Sequence, residues 1–175
     1  MREIEVKILE IDRRSVEETL SNLKAAKVFD GNIETFFYDF RDRSILKAKN
    51  VMRLRLDGRR IELTYKKVSK SREAKIANEY TISVSDLGTT KKILKSLGLL
   101  LIESMRKHRI SYQLGRTRFD IDRFIGQYGG IPEFLEIESN SLDSIHKYAK
   151  LLGYKSEDCL PWSTEQLIQH YAIKH

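Results

Sequence analysis

The sequence has one cysteine and two prolines in 175 residues. A lone Cys159 cannot form an internal disulfide and suits a reducing compartment, so a cytoplasmic location is expected. No uninterrupted apolar run approaches the roughly 20 residues a membrane span needs, so no membrane partner is expected. Charges from residue 2 onward do not make a secretory leader. With so little proline and no low-complexity tract, nothing reads as a linker. One domain over 1–175 is expected, with C-terminal helices from about 142 onward. A hydrophobic fraction of 41% can build a sizeable core, and a mean hydropathy of −0.45 is that of a soluble protein.

Charge is not scarce. The net charge is +7 and the pI is near 9.4. That balance draws polyanions: phosphates, nucleic acid or an acidic surface.

The dominant pattern is alternation. In residues 2–11, Glu3, Glu5 and Lys7 share one face of a strand, and Ile4, Val6 and Ile8 share the other. The pattern returns at 51–57, where Arg53 and Arg55 oppose Met52, Leu54 and Leu56. Asp57-Gly58 then marks a hairpin. Residues 60–68 set Glu62, Thr64 and Lys66 against Ile61, Leu63 and Tyr65, and 75–84 set Lys75, Ala77, Glu79 and Thr81 against Ile76, Tyr80 and Ile82. A long strand over 100–113 carries Lys107, Arg109 and Ser111 on one side. Asp120 and Asp122 alternate in 117–124, and Glu136 and Glu138 in 134–138. A further strand, rich in aromatics, is expected over 33–40 after a turn at Asp30-Gly31. Helices are expected from a capping box at Ser15–Glu18 to about Ala26, from about Thr89 to Gly98, over about 142–152, and from a second capping box at Ser163–Gln166 to about Ile173. Residues 41–50 form a basic loop with one helical turn.

Three readings compete for this alternation: an open antiparallel sheet with a solvated face, a closed barrel with its charges inside, and a basic nucleic-acid-binding sheet. The signs are segregated. Glu3 pairs in phase with Glu5, Asp120 with Asp122, Glu136 with Glu138; Arg53 with Arg55, Lys107 with Arg109. Grouped carboxylates repel unless a cation sits between them, and hard oxygen donors suit Mg²⁺ or Mn²⁺. Grouped Arg and Lys suit phosphate oxygens. A cavity holding both would bind a metal–polyphosphate complex and serve phosphoryl transfer.

Glu3-x-Glu5-x-Lys7 resembles the N-terminal signature of the CYTH superfamily, the triphosphate tunnel metalloenzymes. Leu54-Arg55, Leu63-Thr-Tyr-Lys66, Lys107-x-Arg109-x-x-Tyr112, Ile121-Asp122 and Phe134-Leu-Glu-Ile-Glu138 continue the resemblance in the family's order. It implies an α+β fold: an eight-stranded antiparallel closed β-barrel, or tunnel, with a charged interior and helices outside. It also implies divalent-metal-dependent chemistry on triphosphates. Under it, Glu3, Glu5, Glu136, Glu138 and Asp122 are candidate metal ligands. Lys7, Arg53, Arg55, Lys66, Lys75, Lys107 and Arg109 are candidate substrate-binding residues, and Lys66, Asp122 and Glu79 are candidate catalytic ones. The fifth strand departs from the family's Arg-x-Glu-x-Glu, with Ala77, Glu79 and Thr81 in that phase and Lys75 one step away.

The expected activity is hydrolysis of inorganic tripolyphosphate, ATP or another nucleoside triphosphate, or thiamine triphosphate. A class IV adenylyl cyclase is the alternative, and a non-catalytic triphosphate sensor is the alternative of another class. Nucleic acid is disfavoured because grouped carboxylates on the same face repel phosphates. Oligomeric state stays open, a homodimer included. Glu62 and Asp120 share the functional phase but serve equally well as internal ion-pair partners. His108 is expected outside, Gly129-Gly130 is read as a turn, and Tyr38 and Trp162 are read as packing.

Overall fold

The computed structural model describes residues 2–58, 60–69 and 75–172; the side chains of residues 2, 3, 69, 75 and 76 lie outside that description. Eight strands are joined in the order β1 (Arg2–Ile8), β2 (Ala26–Asp39), β3 (Val51–Asp57), β4 (Arg60–Ser69), β5 (Lys75–Val84), β6 (Leu100–Leu114), β7 (Thr117–Ile125) and β8 (Phe134–Ser139). All neighbours run antiparallel. The ring reads β1-β5-β4-β3-β2-β6-β7-β8, and β1 closes it by pairing with both β8 and β5.

The apolar phase of the strands points outward and is covered by helices over most of the ring, though Tyr80 and Ile82 of β5 stay exposed. Val6 and Ile8 of β1 join Ile110, Phe119, Ile121, Leu135 and Ile137 in one cluster. Val16 and Leu20 of α1 (Arg13–Asn22), with Ile145 and Ala149 of α4 (Leu142–Leu151), pack onto it. On the far side Tyr38 and Leu54 pack under Leu94 of α3 (Leu87–Ser96) and under Leu99. A helix here needs only one apolar stripe, because the barrel supplies the other half of the core.

The last helix does something different. Leu167 and Tyr171 of α5 (Thr164–Ala172) pack with Phe124, Phe134 and Ile131, and Met105 joins them. Register places Phe124, Phe134 and Met105 on the inward side of their strands. The helix therefore covers one end of the lumen. Its capping box forms as expected: Ser163 N–H donates to Gln166 Oε1 at 2.9 Å and Gln166 N–H to Ser163 Oγ at 3.2 Å. Trp162 lies against the His170 ring, centroids 4.9 Å apart. Just before α5, Leu160 exchanges two backbone hydrogen bonds with Lys7, each 2.8 Å, beside the short β1–β5 ladder.

Several boundaries differ from the sequence reading. Asp12, not Ser15, caps α1, its carboxylate accepting from the N–H of Arg14 at 3.1 Å and Ser15 at 3.5 Å. The same preference for an acceptor before the first turn holds; the first acceptor in the chain takes it. Asp30-Gly31 is not a turn. It lies inside β2, which starts at Ala26 and carries a bulge between Lys27 and Phe29. The continuous partner β6 overrides the local turn preference. Asp86 caps α3 two residues earlier than expected. Asp39 is 1% exposed and accepts from the N–H groups of Phe40, Ile45 and Leu46, which fixes the basic loop and its short helix α2 (Ser44–Lys47) to the barrel.

Leu20 is fully buried between α1 and the barrel wall. Leu20→Ala is expected to cost about 2–5 kcal/mol of stability, read from denaturant unfolding, with no effect on the charged lumen.

A candidate active site in the barrel lumen

The ladder fixes which side chains share the lumen, because residues paired across strands lie on the same face. Starting from Lys7, register links it to Glu136, and Glu136 to Asp120. Asp120 faces Ser111, and the next rung sets Arg109 against Asp122. Arg55 faces Glu62, and Lys66 faces Glu79. Glu5 stands directly opposite Glu138. Every inward candidate from the sequence thus falls in one continuous phase around the ring. Register also puts Glu3 and Lys75 in that phase, opposite Ala77 and Glu5; their side chains lie outside the described residues.

The interior is held by ion pairs. Lys7 is fully buried, its Nζ 2.5 Å from Glu5 Oε1 and 2.8 Å from Glu136 Oε1. Burial alone would lower its pKa; the charges of Glu136 and Glu5 outweigh it and hold the ammonium above its ordinary 10.5. Arg109 reaches three carboxylates. Its Nε and Nη2 fork onto Asp122 at 2.6 and 2.5 Å, Nη1 meets Asp120 at 2.5 Å, and Nη2 meets Glu136 at 2.5 Å. Burial opposes its charge, but Asp122, Asp120 and Glu136 keep it firmly protonated. Lys107 Nζ lies 2.5 Å from Asp122 Oδ2. Here burial, and then the adjacent Arg109 charge, win over Asp122 and lower the Lys107 pKa.

The opposite wall is more cationic. Arg53 lies 3.7 Å from Glu79, which also contacts Lys66. Arg55 Nη2 donates to Glu62 at 2.8 Å, and Arg60 Nη2 lies 2.7 Å from the other Glu62 oxygen. The buried Nε of Arg55 has no hydrogen-bond partner among the described residues. The two walls therefore differ. On β3, β4 and β5, Arg53, Arg55, Arg60 and Lys66 outnumber Glu62 and Glu79. On β1, β6, β7 and β8, Lys7, Lys107, Arg109 and Arg118 meet Glu5, Asp120, Asp122, Glu136 and Glu138. Among the described residues no three acidic, histidine or cysteine side chains already converge on an ion-sized point.

The sequence reading placed Glu62 and Asp120 in the right phase, and the structure gives both to ion pairs. It missed Arg60 and Arg118. Arg118 Nε donates to Asp120 Oδ1 at 2.9 Å and Nη2 to Ser111 Oγ at 3.1 Å. The signal was present: Arg60-x-Glu62 and Arg118-x-Asp120-x-Asp122 keep the period of two. His108 faces outward, with Nε2 3.2 Å from Asp30 Oδ1, and Tyr38 is buried in the outer core.

The CYTH domain profile matches residues 1–166. The chain belongs to the CYTH domain family. A Methanocaldococcus jannaschii protein with the provisional name adenylate cyclase is 28% identical over 157 residues, spanning 87% of this chain and 84% of its own. A Pyrococcus horikoshii structure superposes with a TM-score of 0.78 at 22% identity, over 94% of this chain and 98% of that one. A Hippeastrum structure, provisionally an adenylyl cyclase and described as revealing a dominant triphosphatase activity, gives a TM-score of 0.69 at 12% identity, over 97% and 96% of the two chains. These structural likenesses carry the fold. Among the described residues of this CYTH chain, no helix is long and apolar enough to cross a membrane.

Burial would raise the pKa of Glu136, but Lys7, Lys107 and Arg109 hold it well below the ordinary 4.5. A depressed carboxylate contributes stability that is complete above its unfolded pKa and is lost as pH falls through the folded value. Glu136→Gln is therefore expected to flatten the loss of stability below about pH 4.5, measured by urea unfolding at a series of pH values.

Proposed function

We propose that this chain is a divalent-metal-dependent enzyme that hydrolyses a small-molecule triphosphate inside the barrel. The observation that carries the reading is the contrast between the two lumen walls. Cations outnumber carboxylates on β3–β5, and carboxylates slightly outnumber cations on β1 and β6–β8, so a phosphate chain and its counter-cation each have a matching surface.

The residues fit a metal on the acidic wall. Glu5 and Glu138 face each other directly in the β1–β8 ladder, a placement that destabilises like charges unless a cation joins them. Hard carboxylate oxygens suit Mg²⁺ or Mn²⁺. Glu5 and Glu138, with Glu3 and Glu136, would hold the ion; when bound it neutralises phosphate charge and polarises the phosphoryl group. The residues fit phosphate on the other wall. The buried Arg55 Nε, without a hydrogen-bond partner among the described residues, offers a donor; Arg53, Arg55 and Lys66 there, with Lys7 from β1, supply charge-assisted hydrogen bonds.

Arg109 takes a different part. With its donors already on Asp120, Asp122 and Glu136, it orients carboxylates rather than substrate, and Asp122 in turn orients Arg109 and Lys107. Lys66 stabilises charge on the terminal phosphoryl group. Glu79, beside Lys66, takes the proton of the attacking water as the water oxygen bonds to phosphorus and the bridging P–O bond breaks. A second reading, cyclisation of ATP with release of pyrophosphate, draws on the name of the Methanocaldococcus relative. The chain acts within a single CYTH domain.

The test is product identification with Mg²⁺ or Mn²⁺ and tripolyphosphate, ATP, GTP or thiamine triphosphate. Orthophosphate is expected. Cyclic AMP with pyrophosphate would establish the cyclase, and metal-dependent binding without turnover would make the protein a sensor. Glu5→Gln and Glu138→Gln are expected to abolish turnover while circular dichroism keeps the wild-type fold, Glu5→Gln with a lower melting point because Lys7 loses a partner; wild-type rates in both would remove the metal assignment. Arg55→Ala is expected to weaken substrate binding by about 1–3 kcal/mol, the size of one charge-assisted contact, seen chiefly in KM.

A further inference from the structure

Resting on that reading, we infer that Phe29 is a platform for an aromatic ring carried by the triphosphate, so that the substrate class is an organic rather than an inorganic triphosphate.

Phe29 sits at the end of the lumen opposite α5. Its strand partner is Ser111, and Gly31, two residues on, faces Arg109. Ser111 Oγ accepts from Arg118 within the lumen, so this rung faces inward. Register is unbroken from Phe29 to Phe37, so Phe29 keeps the inward phase of Gly31, Ile33 and Thr35. The β2 bulge lies just before it and turns Lys27 to the other face, opposite Tyr112, so Phe29 is the last inward residue of the regular ladder.

Gly31 completes the arrangement. A Cβ there would lie 3.3 Å from the Phe29 ring tip and 3.6 Å and 3.9 Å from two further ring atoms. The ring therefore runs along the strand with its tip over the glycine, where a side chain would crowd it. The ring is only half-buried. Among the described residues it belongs to none of the three apolar clusters that hold the fold. An aromatic group that the ladder aims inward, whose tip rests on a glycine and which joins no apolar cluster keeps ring surface for a planar partner.

The direction of the chain agrees. Phe124, Phe134 and Leu167 fill the α5 end with hydrocarbon, so an organic group on a phosphate chain lying between the two walls points the other way, toward Phe29. Arg118, paired with Gln113 one inward step beyond the Ser111 rung and donating to Ser111 Oγ, stands where the phosphate nearest the organic group would pass. Base–aromatic stacking is worth a large factor in affinity and tolerates different rings, because every heterocycle has a π-face. The platform therefore serves a purine or a thiamine ring alike.

The test compares affinities of wild type, Phe29→Ala and Phe29→Trp for ATP, thiamine triphosphate and tripolyphosphate in Mg²⁺, by calorimetry, with thermal melting as the control for folding. Phe29→Ala is expected to lower affinity for one or both organic triphosphates relative to tripolyphosphate by roughly 5- to 100-fold, the range of one stacked ring. Phe29→Trp is expected to restore it. The organic ligand that responds identifies the ring. An equal loss for all three ligands would make Phe29 a packing residue and overturn the inference, as would no change for any. Failure of all three ligands to bind wild type would instead overturn the underlying triphosphate reading.

Discussion

Charge buried inside a barrel must be paired, and this requirement governs the whole molecule. An isolated ammonium as buried as Lys7 would lose its proton or unfold the chain. It stays charged because Glu5 and Glu136 reach it from two neighbouring strands. Arg109 draws three carboxylates together in the same way. Each pairing works in only one register. A slip of one residue would turn the charges outward against Val6, Phe119 and Ile137 and send hydrocarbon into the lumen. Electrostatics and outer packing thus select the same alignment, strand by strand.

The same pairing makes the interior responsive. A barrel filled with matched ions is stable without a ligand, yet each ion is a group that another partner can claim. The cost of opening a pair is offset when phosphate oxygens replace a carboxylate or a metal replaces an ammonium. This is why a lumen with both signs, unevenly distributed between its walls, suits a ligand that itself carries both signs.

The strands were readable from the sequence because period-two alternation is strongest where one face is charged and the other covered. Arg53, Arg55, Glu136 and Glu138 fell in place for that reason. Three things were hidden. The chain around Asp30-Gly31 has local turn chemistry, and only the long pairing with β6 makes it strand. Arg118 and Arg60 follow the period but sit at strand starts, where a basic residue reads as solvated. Asp39 looks like one more polar residue on an aromatic strand; its hold on three loop N–H groups is a three-dimensional fact with no sequence spacing of its own.

The closing ladder has a temporal meaning. β1 can pair with β5 early, but the ring is sealed only after β8 and the Leu160 segment, much later in the chain, also exist. Until then Lys7, Glu5 and Glu138 belong to no enclosure, and pairings between distant parts of a chain form slowly. A nascent or partly opened chain would therefore possess nearly every helix and strand of the finished protein yet carry no competence, acquiring it at the moment the ring is sealed.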